Sequence, residues 1–336
     1  MLQNPQLHYL DNAATTIVAP EVADVIDKAM REHWANPSSL YGPGARSEEA
    51  LNAARAAVAR TLGCKSRELY FTSCGSESNN LALLGAVQTR TFGKGIVVSG
   101  FEHPSVQRPL ERLAKQGYDV TVVAPRADGT LDIDAMLERV DKNTILVACM
   151  MVNNEIGAVE PVEEAAKVIK AKNPDTLFHV DAIQAFGKYH IYPKRMGIDL
   201  MSVSGHKIHG PKGTGALFIK NRTKVKPIIY GGGQQKGMRS GTENVPAIAG
   251  LATAVKLIYN NDFESKIAHL YELKDYFIDE LEKLPDVQVN SKKGMDSAPQ
   301  IVSASFKGVR AEVLLHSLED KGIYVSSGSA CSSNKP

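Results

Sequence analysis

FHVDAIQAFGKYHIYPKRMGIDLMSVSGHKIHGPKGTG, residues 178–215, decides both how the chain folds and where its chemistry lies. An apolar run ends in Asp181, a mixed segment follows, and a second run from Leu200 to Ser204 leads into Gly205-His206-Lys207 and a glycine-rich turn. Runs of this kind read as buried strands, and polar residues at their carboxyl ends are where open α/β sheets gather ligands. One acid and one lysine so placed meet the needs of a pyridoxal phosphate site: an amine for a Schiff base and a carboxylate for the pyridinium nitrogen. Each also has a plainer explanation, Asp181 as a helix cap and Lys207 as a solvated surface lysine. Alone, the pair would suit a transaminase equally well.

Working outward, strand-like runs at Leu69–Phe71, Ile96–Ser99, Val120–Val123, Thr144–Cys149, Leu177–Asp181 and Leu200–Ser204 alternate with helical patterns beginning near Ser76, Pro104, Ile133 and Pro161. That alternation predicts an α/β fold with a mainly parallel sheet covered by helices on both faces. Upstream, Pro20 to His33 has helical spacing, and Ser47 is expected to cap a helix that Gly63 ends, with Gly42-Pro43-Gly44 as loop punctuation. Downstream, a long helical stretch from Pro246 to Leu284 breaks near Asn260-Asn261. Runs at Val287–Val289, Ile301–Phe306 and Ile323–Val325, with a helix near Ala311–Leu318, predict a small α+β unit.

The 336 residues suit one large domain and one smaller one. A formal charge of +2 gives no electrostatic case for nucleic acid, so a small molecule is the expected ligand. The start, MLQNPQLHYLDNAATT, lacks the features of a signal peptide, and no stretch approaches the roughly 18 apolar residues of a membrane span. A cytoplasmic location is expected. Cys64, Cys74, Cys149 and Cys331 show no metal-ligand or disulfide spacing; the first three read as reduced packing residues.

Further motifs cluster at the predicted strand ends. Phe71-Thr72-Ser73-Cys74-Gly75-Ser76-Glu77-Ser78 is a strand, a small-residue turn and a helix start, which suits a phosphate, although short glycine turns are common. His103 follows a strand and can stack on a flat cofactor and shuttle protons. Asn154 can address a phenolic oxygen, although asparagine pairs often mean only a turn. Cys331, set in SSGSACSSN, has nothing to pack against, and a thiol on such a segment can swing between a substrate and an external acceptor.

Taken together, Tyr9–Thr16, Asn36–Ser39, Ser73–Asn80, Glu102-His103, Val152–Gly157, His179–Gln184, Ser204–Lys207, Arg239–Thr242 and Ser327–Cys331 closely resemble the pyridoxal-phosphate-dependent cysteine desulfurases of the class V aminotransferase family. The long serine-rich cysteine loop is similar to that of the housekeeping iron-sulfur-cluster subgroup. The resemblance implies the type I aminotransferase-like fold, with a large domain over residues 14–255 and a small domain formed by 1–13 and 256–336. It implies that Lys207 holds pyridoxal 5'-phosphate, Asp181 pairs with its ring nitrogen and His103 stacks on the ring. Asn154 and Gln184 would address the phenolic oxygen, and Gly75, Ser76, Ser204 and His206 the phosphate. Thr242 would come from the partner subunit of a homodimer.

The same resemblance implies that L-cysteine loses its α proton to Lys207 and its sulfur to Cys331. Alanine is released, and the persulfide passes to an acceptor protein such as an iron-sulfur scaffold. Cys74 stands where the family usually has glycine or another small residue. The family pattern also continues beyond the cysteine loop with an arginine for the substrate carboxylate, so the expectation is a fragment of a longer protein or a form with impaired substrate binding. A selenocysteine lyase, another lyase using the same cofactor, and a non-catalytic sulfur-transfer partner are the alternatives.

Overall fold

The computed structural model describes residues 7–328. In chain order its strands and α-helices are β1 (His8–Tyr9), α1 (Pro20–Glu32), α2 (Gly42–Thr61), β2 (Leu69–Thr72), α3 (Gly75–Val87), β3 (Gly95–Ser99), α4 (Pro104–Lys115), β4 (Asp119–Val123), α5 (Ile133–Arg139) and β5 (Thr144–Met150). Then follow α6 (Val162–Lys172), β6 (Leu177–Asp181), β7 (Leu200–Ser204), β8 (Gly215–Ile219), α7 (Val245–Ile258), α8 (Phe263–Glu282), β9 (Val287–Val289), β10 (Ala304–Phe306), α9 (Ala311–Glu319) and β11 (Ile323–Tyr324).

Seven strands form one sheet in the order β2-β8-β7-β6-β5-β3-β4. Strands β7, β6, β5, β3 and β4 run parallel, while β8 is antiparallel to both β7 and β2. Every residue of β5, β6, β7 and β8 is buried, as expected of strands covered on both faces. Alternate side chains divide between two cores. Val97, Val147, Phe178, Val180, Met201 and Phe218 pack with α2, α6 and α7. Ile96, Val98, Ala148, Leu200 and Leu217 pack with Leu81, Leu83, Leu110 and Leu113 of α3 and α4. Because β2 lies antiparallel to β8, its carboxyl end shares an edge of the sheet with those of β3, β5, β6 and β7. The site lies on that edge.

The remaining strands form two small ribbons: β1 pairs in parallel with β11, and β9 antiparallel with β10. Lys274 of α8 is buried and donates to Ser297 Oγ at 2.7 Å and to the Ala298 carbonyl at 2.8 Å, which fixes α8 against the following segment.

Two local expectations are corrected. Ser47 is no cap: α2 already begins at Gly42, and the Ser47 hydroxyl, buried inside the helix, donates to the Pro43 carbonyl at 3.2 Å. Pro43 at a first-turn position starts the helix, which is why Gly42-Pro43-Gly44 is not a loop. Strand β8 was not anticipated either, because Gly215-Ala216-Leu217-Phe218-Ile219 follows the glycine-rich turn directly and has no polar alternation.

Candidate active site

A cavity of about 210 Å³ opens at the carboxyl edge of the sheet. Gly75, Ser76, His103, Asn154, Asp181, Gln184, Ser204, His206 and Lys207 all line it, brought together from the ends of β2, β3, β5, β6 and β7. Thr242 is exposed and is not among the lining residues. Cys331 lies outside the described residues, but Ser326 and Gly328, just before it in sequence, line the same cavity. A wider depression of about 410 Å³ adjoins it, sharing Ser76, His103 and Ser105 and edged by Arg108 and Arg112.

Asp181 closes β6 and is buried. Its Oδ1 accepts the Ile183 N–H at 3.0 Å and its Oδ2 accepts from Asn79 Nδ2 at 2.7 Å. Burial pushes this carboxyl above its ordinary range, while those hydrogen bonds and the neighbouring His103 and Lys207 pull it part of the way back. A cationic partner at the carboxylate would therefore be strongly favoured.

Lys207 ends the short turn after β7 and is fed into the cavity from Ser204-Gly205-His206. Its Nζ donates to the carbonyls of Ala13 and Ala14, at 2.8 Å for Ala14. The Ala13 carbonyl also accepts from Gln184 Nε2 at 2.9 Å. The segment carrying these carbonyls is pinned by Thr16, whose N–H and hydroxyl each donate to the His206 carbonyl at 2.8 Å. Farther along, Ser326 Oγ donates to Asp11 Oδ1 at 2.7 Å, so one amino-terminal strap touches the lysine and the segment leading to Cys331.

Helix α3 begins at Gly75 with Cys74 at its cap position, and the Cys74 side chain makes no capping bond. The first-turn amides are left for an anion, and Ser76 adds a hydroxyl beside them. A Cβ on Gly75 would lie 2.1 Å from Ile183 Cδ1, so any larger residue here would force the Ile183 side chain to move. Cys74 itself lines the cavity, which corrects its reading as a packing residue; Cys149, fully buried in β5, fits that reading.

His103 Nδ1 accepts the Ser105 N–H at 3.1 Å and lies 2.8 Å from Ser105 Oγ. An amide can only donate, so a neutral imidazole here carries its proton on Nε2. Burial lowers the His103 pKa, Asp181 opposing and Lys207 reinforcing, which favours that neutral form. His206 is pushed down to about 4 by burial and by the charges of Lys207 and Lys212. The asparagine pair splits between its two readings. Asn153 Oδ1 accepts the Glu155 and Ile156 N–H groups at 2.9 Å and makes the turn, while Asn154 lines the cavity.

An ionisable amine, a buried carboxylate and an uncapped helix N-terminus in one cavity fit the aldehyde, ring nitrogen and phosphate of pyridoxal 5'-phosphate. The Aminotransferase class-V sequence pattern matches residues 8–336. The chain belongs to the class-V aminotransferase family. This class-V member is 41% identical to the cysteine desulfurase IscS of Dictyoglomus turgidum, over 97% of this chain and 82% of that one. It superposes on a solved NifS-like protein with a TM-score of 0.92 at 35% identity, covering 96% of this chain and 87% of the other. On SspA solved in complex with cysteine the TM-score is 0.83 at 33% identity, covering 98% and 92%. Family membership makes this a pyridoxal-phosphate enzyme of the type I fold. Among the described residues no helix is long and apolar enough to cross a membrane.

Asn79, Ser105 and the Ala13 and Ala14 carbonyls complete the site and were not individually singled out from sequence. Asn79 carries a readable signal: it follows Gly75 by one helical turn and so faces the same way.

Proposed function

We propose that the chain is a cysteine desulfurase, taking sulfur from L-cysteine onto Cys331 and releasing L-alanine for iron-sulfur cluster assembly or a related thiolation. The observation that carries this reading is the meeting of Lys207, Asp181 and the uncapped α3 N-terminus in a cavity that Gly328, three positions before Cys331, also lines. The cysteine desulfurase relatives support the same substrate.

Bound pyridoxal 5'-phosphate supplies an aldehyde that captures amines and a ring that withdraws electrons from the substrate Cα–H bond. Asp181 would keep the ring nitrogen protonated, and Asn79 and the Ile183 N–H fix its carboxylate for that task. Gly75 and Ser76 at the α3 N-terminus, with Ser204 and His206, bind the phosphate. His103 would lie against the ring, with its own proton on Nε2. Asn154 and Gln184 address the phenolic oxygen; Gln184 has two amide hydrogens and spends one on Ala13.

Lys207 Nζ would hold the cofactor through its aldehyde, and as a free amine it is placed to take the substrate α proton. The Ala13 and Ala14 carbonyls keep that amine in place once it is released. The Cys331 thiolate attacks the substrate sulfur: a sulfur–sulfur bond forms, the carbon–sulfur bond breaks, the carbon that lost sulfur takes up a proton, and the α proton returns from Lys207 to give alanine. The persulfide then passes to an acceptor such as an iron-sulfur scaffold protein.

The protein works as a cytoplasmic homodimer in this reading, with Thr242 reaching the partner's phosphate. The exposure of Thr242, and of Leu40, Tyr41 and Tyr230 as large apolar side chains, supports a covered face. The large domain spans residues 14–255, and 1–13 with 256–336 form the small one. Purified protein should show a visible absorption band that Lys207→Ala removes. A wild-type chain that neither carries nor takes up pyridoxal 5'-phosphate would contradict the reading.

A further inference from the structure

Glu77 lies one residue past Ser76, so an acidic residue shares the first turn of α3 with the amides that would receive a phosphate. Arg239, on the loop between β8 and α7, meets it as a fork: Nε donates to Oε1 at 2.8 Å and Nη2 to Oε2 at 3.3 Å. The Glu77 and Arg239 side chains are only 10% and 25% exposed. The same Oε2 accepts the backbone N–H of Ser73 at 3.0 Å and the Ser73 hydroxyl. The carboxylate therefore ties the turn before α3 to the helix, and the guanidinium closes the arrangement from the far side.

The loop that carries Arg239 is itself anchored to β2. Gln235 is buried with a left-handed φ of 49°, and its Oε1 accepts the Phe71 N–H at 2.9 Å and Arg55 Nη1 at 2.8 Å. Gln234 Oε1 accepts the Gly241 N–H at 2.9 Å. Phe71 precedes Ser73 by two residues, so loop and turn are joined at two nearby points. Burial alone would raise the Glu77 carboxyl, but the bonds from Arg239 and Ser73 outweigh it and hold the group below its usual range.

We propose that Arg239 is a positioning residue that neutralises Glu77, leaving the Ser73–Ser76 turn mechanically fixed yet electrostatically open to the cofactor phosphate. This rests on the reading of the α3 N-terminus as the phosphate site. An unpaired carboxylate in the first turn would repel a phosphate dianion, and partial burial makes that repulsion stronger than it would be in water. A bidentate guanidinium removes the repulsion while the carboxylate keeps its hold on Ser73.

The test is a visible-absorption titration of the cofactor-free 336-residue chain with pyridoxal 5'-phosphate and, separately, with pyridoxal, which lacks the phosphate. Arg239→Gln is expected to weaken binding of the phosphorylated form roughly tenfold or more and that of pyridoxal by less than about twofold. Adding Glu77→Gln to Arg239→Gln should recover most of the loss, because no charge then needs neutralising. Arg239→Lys, which keeps the charge but not the fork, should fall between wild type and Arg239→Gln, and it serves alone where Arg239→Gln does not fold. Equal weakening for both ligands, undiminished affinity, or no recovery in the double variant would overturn the proposal. A wild-type chain that binds neither ligand would instead overturn the cofactor reading beneath it.

Discussion

Asn79 Nδ2 donates a 2.7 Å hydrogen bond to Asp181 Oδ2, joining α3 to the end of β6 across 102 residues of sequence. The same amide donates to Ser105 Oγ at 2.9 Å, and Ser105 in turn holds His103 Nδ1. One asparagine thus links the acid expected under the ring nitrogen to the imidazole expected on the ring face.

Asn79→Ala removes a hydrogen-bond donor to a buried carboxylate. The expected cost is about 1–3 kcal/mol of folding stability, read from urea unfolding, together with weaker cofactor retention. Asn79→Asp should be worse, since it sets a second acid against Asp181. Wild-type stability and cofactor content in both variants would speak against the link.

Gly75→Ala places a Cβ 2.1 Å from Ile183 Cδ1 and 2.9 Å from Ile183 Cγ1. Because the obstacle is a side chain that itself lines the cavity, relief requires Ile183 to turn, at about 1–3 kcal/mol. Cofactor affinity should fall, and Ile183→Ala in the same chain should restore part of it. A Gly75→Ala protein with unchanged affinity would show that the close approach is not needed.

Two buried acids set a pH dependence. Glu102 Oε1 accepts the Ser99 hydroxyl and the Met150 N–H, and burial, with Asp181 nearby, pushes its pKa up to about 8. Glu160 is raised to about 7 by burial, with Asp128 adding to the shift. Both are raised in the folded state above the ordinary 4.5, so the stability they contribute is full below that pH and is lost as pH rises through 7 to 8. Below about pH 6.5 the depressed histidines His103, His179 and His206 work in the opposite sense, so it is between about pH 6.5 and 8 that the cofactor-free chain should become easier to unfold in urea. Glu102→Gln should flatten that decline; an unchanged slope in the variant would contradict the assignment.

The parallel strands and the polar residues at their ends were legible because burial on both faces leaves unbroken apolar runs, and because Asp181, His103 and Lys207 stand where those runs stop. Strand β8 was not, since its antiparallel return follows a glycine turn with no alternation to mark it. The Ala13 and Ala14 contacts with Lys207 could not be read at all: they use carbonyls, which every residue has, and join positions 194 and 193 apart. Cys74 looked like packing because its residue type suits a core, and only the fold turns it toward the cavity.

The central claim is that sulfur moves from L-cysteine to Cys331. Incubating the purified protein with L-cysteine in the absence of reductant, then mapping its peptides by mass spectrometry while assaying alanine, tests this directly. The account predicts one added sulfur atom on Cys331 with matching alanine, and neither product from Cys331→Ala, which keeps its visible absorption band. Alanine formed at the wild-type rate by Cys331→Ala, or a wild-type chain that leaves Cys331 unmodified, would contradict it.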